Sequence, residues 1–403
     1  MVEKLKNMRK ELQLYLLILA FGALGSALIS NVLSNYLKEV YDITAFQRGA
    51  IEFPRELPGL FSILIVSALA RFTDIRIAIF AQIIAAIGVL LLGLFTPIYG
   101  IMLFLIFINS MGAHLFMPMR QSIGIDLVQD GQYGKRLGQF NGTTTAFKMI
   151  GAIIVFLGFR YGALSFDTPV KWIFVLAALA LFISMILLII LDKRINDLES
   201  HPAKAKFIFR KEYKFYYTLV VMFGVQKQIM LVYGPWVLID LLDKKVETLA
   251  ILAIIAYFIG IFFIPAIGRW VDRFGIRKMM FVDALSFIVI YALYGMLSGG
   301  YATGTIAKVG LPVFLAYGLF IIDRMSTQMG LIRTVYLKRI VVDSKDITPT
   351  ISLGITMDHF VSIVAAFMGG IIWISWGPQY IFYMVSALSL VNLYVAFSVD
   401  LDA

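Results

Sequence analysis

The sequence predicts an all-α membrane protein of twelve transmembrane helices, arranged as two six-helix bundles related by pseudo-two-fold symmetry. Three observations carry this expectation: twelve apolar runs of spanning length, basic residues concentrated in alternate loops, and short segments that recur in corresponding places in the two halves.

Composition sets the frame. Of the 403 residues, 60% are hydrophobic and only 15% charged, with a mean hydropathy of +0.88, whereas a soluble domain carries about 25% charged residues. Cysteine is absent, which excludes disulfides, thiolate metal sites and cysteine nucleophiles. The histidines are His114, His201 and His359, too few and too dispersed to suggest a zinc centre. No metal or cofactor is expected. A formal charge of +10 would point to nucleic acid in a soluble protein. Here the basic residues fall in short loops between apolar runs, so the charge is read as membrane topology and nucleic acid is not an expected partner.

A helix needs about 20 mostly apolar residues to cross the hydrocarbon core. The first run, from Leu12 to Leu37, follows Lys4, Lys6, Arg9 and Lys10 and so looks like a signal peptide. It exceeds the ~7–15 residues of a signal h-region and lacks an Ala-x-Ala cleavage site, and is read as a span. The complete set is 12–37, 49–70, 77–96, 98–119, 137–159, 170–191, 214–239, 248–267, 279–298, 310–332, 348–374 and 379–399.

Loop charge orients these spans, because Lys and Arg accumulate on the cytoplasmic side. With a cytoplasmic amino terminus, 24 of the 35 basic residues lie in inside segments and seven outside, namely Lys38, Arg48, Arg160, Lys171, Lys244, Lys245 and Lys308. Arg55, Lys148, Lys227 and Arg324 fall within spans. Both termini are thus expected in the cytoplasm, with the prokaryotic inner membrane as the expected location. The basic segment 193–213, which includes His201 and Pro202, divides the chain into bundles at 1–192 and 214–403 and suits contact with anionic lipid headgroups.

The repeats appear at the loops. Ala68-Leu-Ala-Arg-Phe-Thr-Asp-Ile-Arg76 follows the second run, and Gly268-Arg-Trp-Val-Asp-Arg-Phe-Gly-Ile-Arg-Lys278 follows the eighth. Arg120 after the fourth run corresponds to Arg333 after the tenth. The pattern Gly268-x-x-x-Asp272-Arg273-x-Gly275-x-Arg277-Lys278 resembles the signature loop between the second and third helices of each half in the major facilitator superfamily. Arg120-x-x-x-Gly124 is similar to that family's fourth-helix arginine motif. The resemblance covers the whole chain through helix number, central loop and repeat. It implies a monomeric secondary transporter with a cytoplasmic latch in which Asp272 faces Arg333 and the start of an opposing-half helix when the transporter is open outward, with Gly268, Arg269, Arg273, Gly275 and Arg277 around it and Arg120 in the other half. The basic members of this loop serve positive-inside topology equally well. The first half departs from the signature, since Arg71 stands where Asp272 would and neither glycine is kept.

Charges inside the spans point to function, because an ionised group at the bilayer centre costs at least ~2.5–3.5 kcal/mol and usually faces a partner or a cavity. Lys148, Lys227, Asp323, Arg324, Asp358 and His359 all fall near the middle of their runs. Asn141, Thr144 and Lys148 make one helical stripe, and Ser110 and His114 share a face. In the superfamily the first, fourth, seventh and tenth helices line the central cavity, which the resemblance extends to Asn31, His114, Lys227 and Asp323 or Arg324. Permanent pairing of Asp323 or Asp358 with Lys227, Arg324 or Lys148 is the structural alternative. Arg55 and Glu56, flanked by Pro54 and Pro58, are read as a local pair or outer gate, and His359 as a hydrogen-bonding neighbour of Asp358 or a proton carrier.

At full ionisation the central set carries one more positive than negative charge, Lys148, Lys227 and Arg324 against Asp323 and Asp358. This favours a small anionic or zwitterionic substrate, and the titratable groups would allow proton coupling. The expected function is therefore secondary active transport by alternating access. A multidrug/proton antiporter is one alternative, although Gly142-Thr-Thr-Thr-Ala-Phe-Lys-Met-Ile-Gly151 lacks the Gly-Pro pattern such exporters often carry in the fifth helix. A non-transporting receptor or assembly factor on the same fold is another. No nucleophile–base motif, metal cluster or phosphate loop supports an enzyme. The topology makes one direct prediction: single cysteines placed at Lys204 and Lys244 should react with an impermeant thiol reagent from opposite faces of the membrane. Labelling from one face would refute the span count.

Overall fold

The computed structural model describes residues 9–128, 133–195 and 208–399. Every regular element among them is helical. Most of the expected basic segment 193–213, His201 and Lys204 included, lies outside the described residues.

In chain order the α-helices are α1 (Lys10–Ser30), α2 (Leu33–Tyr41), α3 (Ala45–Ala50), α4 (Glu52–Ala68), α5 (Asp74–Leu94), α6 (Tyr99–Asp126), α7 (Tyr133–Arg160) and α8 (Trp172–Asp192), followed by α9 (Lys214–Trp236), α10 (Val246–Phe274), α11 (Ile276–Thr303), α12 (Leu311–Gln328), α13 (Leu331–Ile340), α14 (Ile347–Ser375) and α15 (Pro378–Ser398). A five-residue π-turn, Val237–Leu241, extends α9 just after Pro235, whose missing N–H breaks the regular ladder.

Among the described residues, ten helical stretches are long and apolar enough to cross a membrane. The expected second and tenth spans are not among them. Instead of 49–70, the chain makes the short α3, a turn at Ile51, and then α4, which has 17 residues and carries Glu52, Arg55 and Glu56. The expected 310–332 helix stops after Gln328, where 3₁₀-type bonds from Met329 and Gly330 to the carbonyls of Ser326 and Thr327 tighten the turn, and α13 then runs on to Ile340. The first span breaks at Asn31, whose side-chain amide donates to the Ala27 carbonyl at 2.7 Å. Several charges expected in loops belong to ordered structure. Arg120 lies within α6 and Arg333 within α13, while Arg48 is 2% exposed in α3.

The chain forms two compact units. The first comprises Met1–Tyr36 and Phe61–Ala205, and the second Leu37–Leu60 and Lys206–Ala403. The boundary thus differs from a simple cut in the central loop, because α2 (from Leu37), α3 and the start of α4 pack with carboxyl-terminal helices.

In the first unit, α5 packs on α6 and α8, and α1 on α7 and α8. Small residues allow these approaches, as expected where lipid removes the hydrophobic drive and close van der Waals contact must hold helices together. A Cβ at Gly112 of α6 would lie 2.3 Å from the Ala81 carbonyl of α5, and one at Gly88 would lie 2.6 Å from the Asn109 amide nitrogen. Asn109 adds a hydrogen bond to the Ala85 carbonyl at 2.8 Å. Gln82, Ser184 and the Ile18 carbonyl form a chain of 2.9 and 3.1 Å bonds that ties α5, α8 and α1.

In the second unit, α11 packs on α15, and α9 on α14. The short α3 lies against α14, where Gly49 leaves room for the Ala366 carbonyl and the Tyr233 hydroxyl, and Phe46 meets Phe367 edge-on at 5.5 Å. Outward-facing side chains such as Phe104, Leu179, Phe258 and Phe262 are large, apolar and exposed, as suits lipid. Because Gly112 meets backbone atoms that cannot yield, Gly112→Ala should destabilise the protein by about 1–3 kcal/mol. Gly142→Ala, with nothing within 4 Å, should not. Thermal unfolding of the two variants in detergent checks this.

Candidate functional site

Each unit holds its own set of polar groups. In the first unit, His114 sits one turn beyond Ser110 on α6, with Nδ1 3.0 Å from the Ser110 hydroxyl and 2.9 Å from its carbonyl. The shared face read from the sequence is realised. Two turns further along, the Arg120 backbone carbonyl accepts a hydrogen bond from Tyr15 of α1. Gly124 makes space for that Tyr15 ring. Lys148 of α7 is half-buried and close enough to Arg120 for the two cations to repel. Among the described residues neither side chain has a carboxylate partner. Asn31 is engaged with its own helix, as described above.

In the second unit, Glu52 at the start of α4 is the centre of a buried cluster. Its Oε1 accepts from Arg48 at 2.6 Å and from Arg55 at 2.7 Å, and its Oε2 accepts from Gln228 of α9 at 2.7 Å. Arg48 is 2% exposed and Glu52 fully buried. One turn further on, Glu56 accepts from His359 Nδ1 of α14 at 2.8 Å.

Lys227 of α9 pairs with Asp358 of α14. Gly224, one turn earlier on α9, leaves room for the Asp358 carboxylate. Both side chains are partly accessible, at 26% and 17%. Asp323 of α12 is buried, and its contact is Tyr291 of α11. That hydroxyl lies 2.7 Å from the Gln226 carbonyl and 3.1 Å from Asp323 Oδ1. Thr327 donates to the Asp323 backbone carbonyl at 2.9 Å, and the Arg324 guanidinium lies over the Phe320 ring at 4.9 Å. Arg333 of α13 reaches Asp283 of α11 at 3.9 Å and stacks over Phe223 at 3.5 Å. Gly330 provides the space for its guanidinium.

The sequence-derived set is therefore partly brought together. Lys227 and Asp358 meet, and Asp323 joins neither Lys227 nor Lys148. Besides the expected electrostatic neighbourhood of Arg55 and Glu56, Arg55 pairs with Glu52 one helical turn away and Glu56 with His359 of α14. His359 is engaged with Glu56 rather than with Asp358 beside it. Arg333 is paired with Asp283 here, while Asp272, Arg269 and Arg273 lie exposed near the α10–α11 turn, so the latch expected of the outward-open state is not engaged in this conformation. Gly268 has open space around it, and Gly275 takes a φ of 83° that L-residues rarely adopt.

Arg48, Glu52, Gln226, Gln228, Asp283 and Tyr291 are missing from the sequence-derived set. The charge of Asp283 inside a run (279–298) read as apolar was the available signal. Glu52, inside the run 49–70, gave the same signal, and Arg48 did so only if the residues just before that run had been taken as buried.

The sequence model of the Major Facilitator Superfamily matches residues 15–341. No curated protein sequence matches the chain. Among solved structures, the nucleoside transporter NupG is 14% identical with a TM-score of 0.72, covering 97% of this chain and 99% of its own. The D-xylose–proton symporter is 13% identical, with a TM-score of 0.70 and coverage of 95% and 96%. A bacterial homologue of the iron transporter ferroportin, in an inward-facing state, is 12% identical with a TM-score of 0.72 and coverage of 96% and 98%. Similarity at this level establishes the fold.

Glu52 offers the sharpest test of the second unit. Replacing it by Gln leaves Arg48 buried without a counter-charge, a loss of about 3–5 kcal/mol for a broken buried pair. The double variant Arg48→Gln/Glu52→Gln should be more stable than Glu52→Gln alone in thermal unfolding.

Proposed function

This chain belongs to the major facilitator superfamily, and on that premise we propose that it is a proton-coupled transporter of a small anionic or zwitterionic solute, working by alternating access across twelve spanning helices. Membership makes it a secondary transporter and not an enzyme.

The observation that carries the reading is the Arg120–Lys148 pair of the first unit, two neighbouring cations without a carboxylate partner among the described residues. Burying one such charge is costly, and two that repel each other more so. A carboxylate or phosphate on the solute would relieve that cost on binding, which gives the site affinity and a sign preference together.

The Lys227–Asp358 pair supports the same reading from the second unit. It is only partly buried, so a solute carboxylate has access to Lys227 and competes there with Asp358.

Tyr291 supports proton coupling. Its hydroxyl carries one hydrogen and has two oxygens within reach. That one hydrogen is shared between the Gln226 carbonyl at 2.7 Å and Asp323 Oδ1 at 3.1 Å, so the buried carboxyl receives at most a divided donor. A carboxylate so poorly supplied with donors is costly in the helix bundle, so Asp323 is a group whose proton exchange is linked to a change in its surroundings.

A thermal-shift screen of purified protein against small carboxylates, phosphates, nucleosides, sugars and cationic drugs at two pH values tests the solute class. Carboxylates or phosphates should stabilise the wild type, and Lys148→Ala should remove the effect. Stabilisation by cationic drugs that survives Lys148→Ala would favour the antiporter reading instead. With the solute so found, Lys227→Ala should abolish uptake into proteoliposomes while the protein still folds. Asp323→Asn should abolish accumulation driven by a pH gradient yet retain solute exchange; unaltered gradient-driven uptake would remove Asp323 from the mechanism.

A further inference from the structure

The turn between α10 and α11 is a single residue, Gly275. Both helices are long and apolar enough to span a membrane, so this turn lies where hydrocarbon gives way to headgroups. Beside it is a cavity of about 590 Å³, lined by Asp272, Phe274, Lys278, Phe281, Val335 and Arg339. That volume is within the roughly 300–1,000 Å³ of small-molecule sites.

The lining has two characters. Phe274 and Val335 are exposed apolar side chains, and Phe281 is held against Phe397 of α15 with ring centres 4.7 Å apart. The rest is charged. Arg277 also lines the cavity, but its guanidinium is committed to α15, donating from Nε to the Ala396 carbonyl at 3.2 Å and from Nη2 to the Phe397 carbonyl at 3.1 Å. Lys278 and Arg339 have no hydrogen-bond or ion-pair partner among the described residues. Asp272 is the sole carboxylate of the lining.

Two uncommitted cations beside an apolar wall, at the depth of the headgroups, match an anionic phosphate ester attached to an acyl chain. We propose that this cavity binds the headgroup of an anionic phospholipid. Lys278 and Arg339 take the phosphate oxygens, while Phe274, Phe281 and Val335 cover the first methylenes of the chain. A water-soluble phosphate would satisfy the cations equally well but would leave that wall wet, so the apolar half of the site selects lipid over free anion. The site is separate from the deep charges assigned to transport.

The test uses the full-length protein in detergent, titrated with short-chain phosphatidylglycerol, short-chain phosphatidylcholine and glycerol phosphate, and read by thermal shift and native mass spectrometry. Phosphatidylglycerol should raise the unfolding temperature and persist as one bound molecule, and the other two should not. Lys278→Gln/Arg339→Gln should weaken phosphatidylglycerol by about tenfold or more. The control Lys338→Gln/Lys345→Gln removes the same charge outside the cavity and should leave binding unchanged. Phe274→Ser, which keeps both cations, should also weaken the lipid, and it serves as the readout if the double variant folds poorly. Equal weakening by the control pair would reduce the effect to diffuse surface charge. Equal stabilisation by glycerol phosphate would make the cavity a free-anion site. Absence of a retained lipid would overturn the proposal outright.

Discussion

A charge taken out of water must find its counter-charge inside the protein or be supplied with one, and this constraint organises the whole chain. The second unit meets it internally. Glu52 serves two arginines, Glu56 serves His359, Asp358 serves Lys227, and Asp283 serves Arg333. Among the described residues the first unit does not, for Arg120 and Lys148 are close enough to repel and neither has a carboxylate partner. On the proposed reading, the residual positive charge of the first unit is what a negatively charged solute would neutralise. The general cost of intramembrane charge gives that asymmetry its meaning.

The Glu52 cluster also explains why the sequence-based division of the chain is not the structural one. Arg48 and Glu52 are far too buried to be left to a surface loop, and their partner Gln228 is on α9. Satisfying them requires the segment Leu37–Leu60 to fold with the carboxyl-terminal helices, where Lys38 additionally pairs with Asp240 at 3.0 Å. Glycines complete the fit. Gly49, Gly224 and Gly330 each make room for a polar group, the Ala366 carbonyl, the Asp358 carboxylate and the Arg333 guanidinium respectively. Polar satisfaction and close packing are here achieved by the same residues.

Much of this was legible in advance. Ten of the expected spans are helices of spanning length, and of the charges flagged as deep Lys227 and Asp358 are paired, as one of the weighed alternatives had it. The errors have a common cause. Hydropathy smooths over the break in the first span, the turn at Ile51 and the stop after Gln328, since a local hydrogen bond such as Asn31 to Ala27 leaves average polarity unchanged. Arg48 was read as an outer-loop charge because nothing along the chain announces that Glu52, one turn later, and Gln228, far away, will both reach it.

What the amino-acid sequence determined by itself is the class of molecule: apolar runs of spanning length, the superfamily signature at Gly268–Lys278, and the identity of the residues too costly to bury without a reason. Those properties depend on solvation and helical period, which are local to a stretch of chain. Which carboxylate answers which cation was decided only by the tertiary structure. Glu56 answers His359 and Asp283 answers Arg333, because pairing depends on the azimuth of each helix and the small residues that let helices approach, and neither is encoded in any single segment.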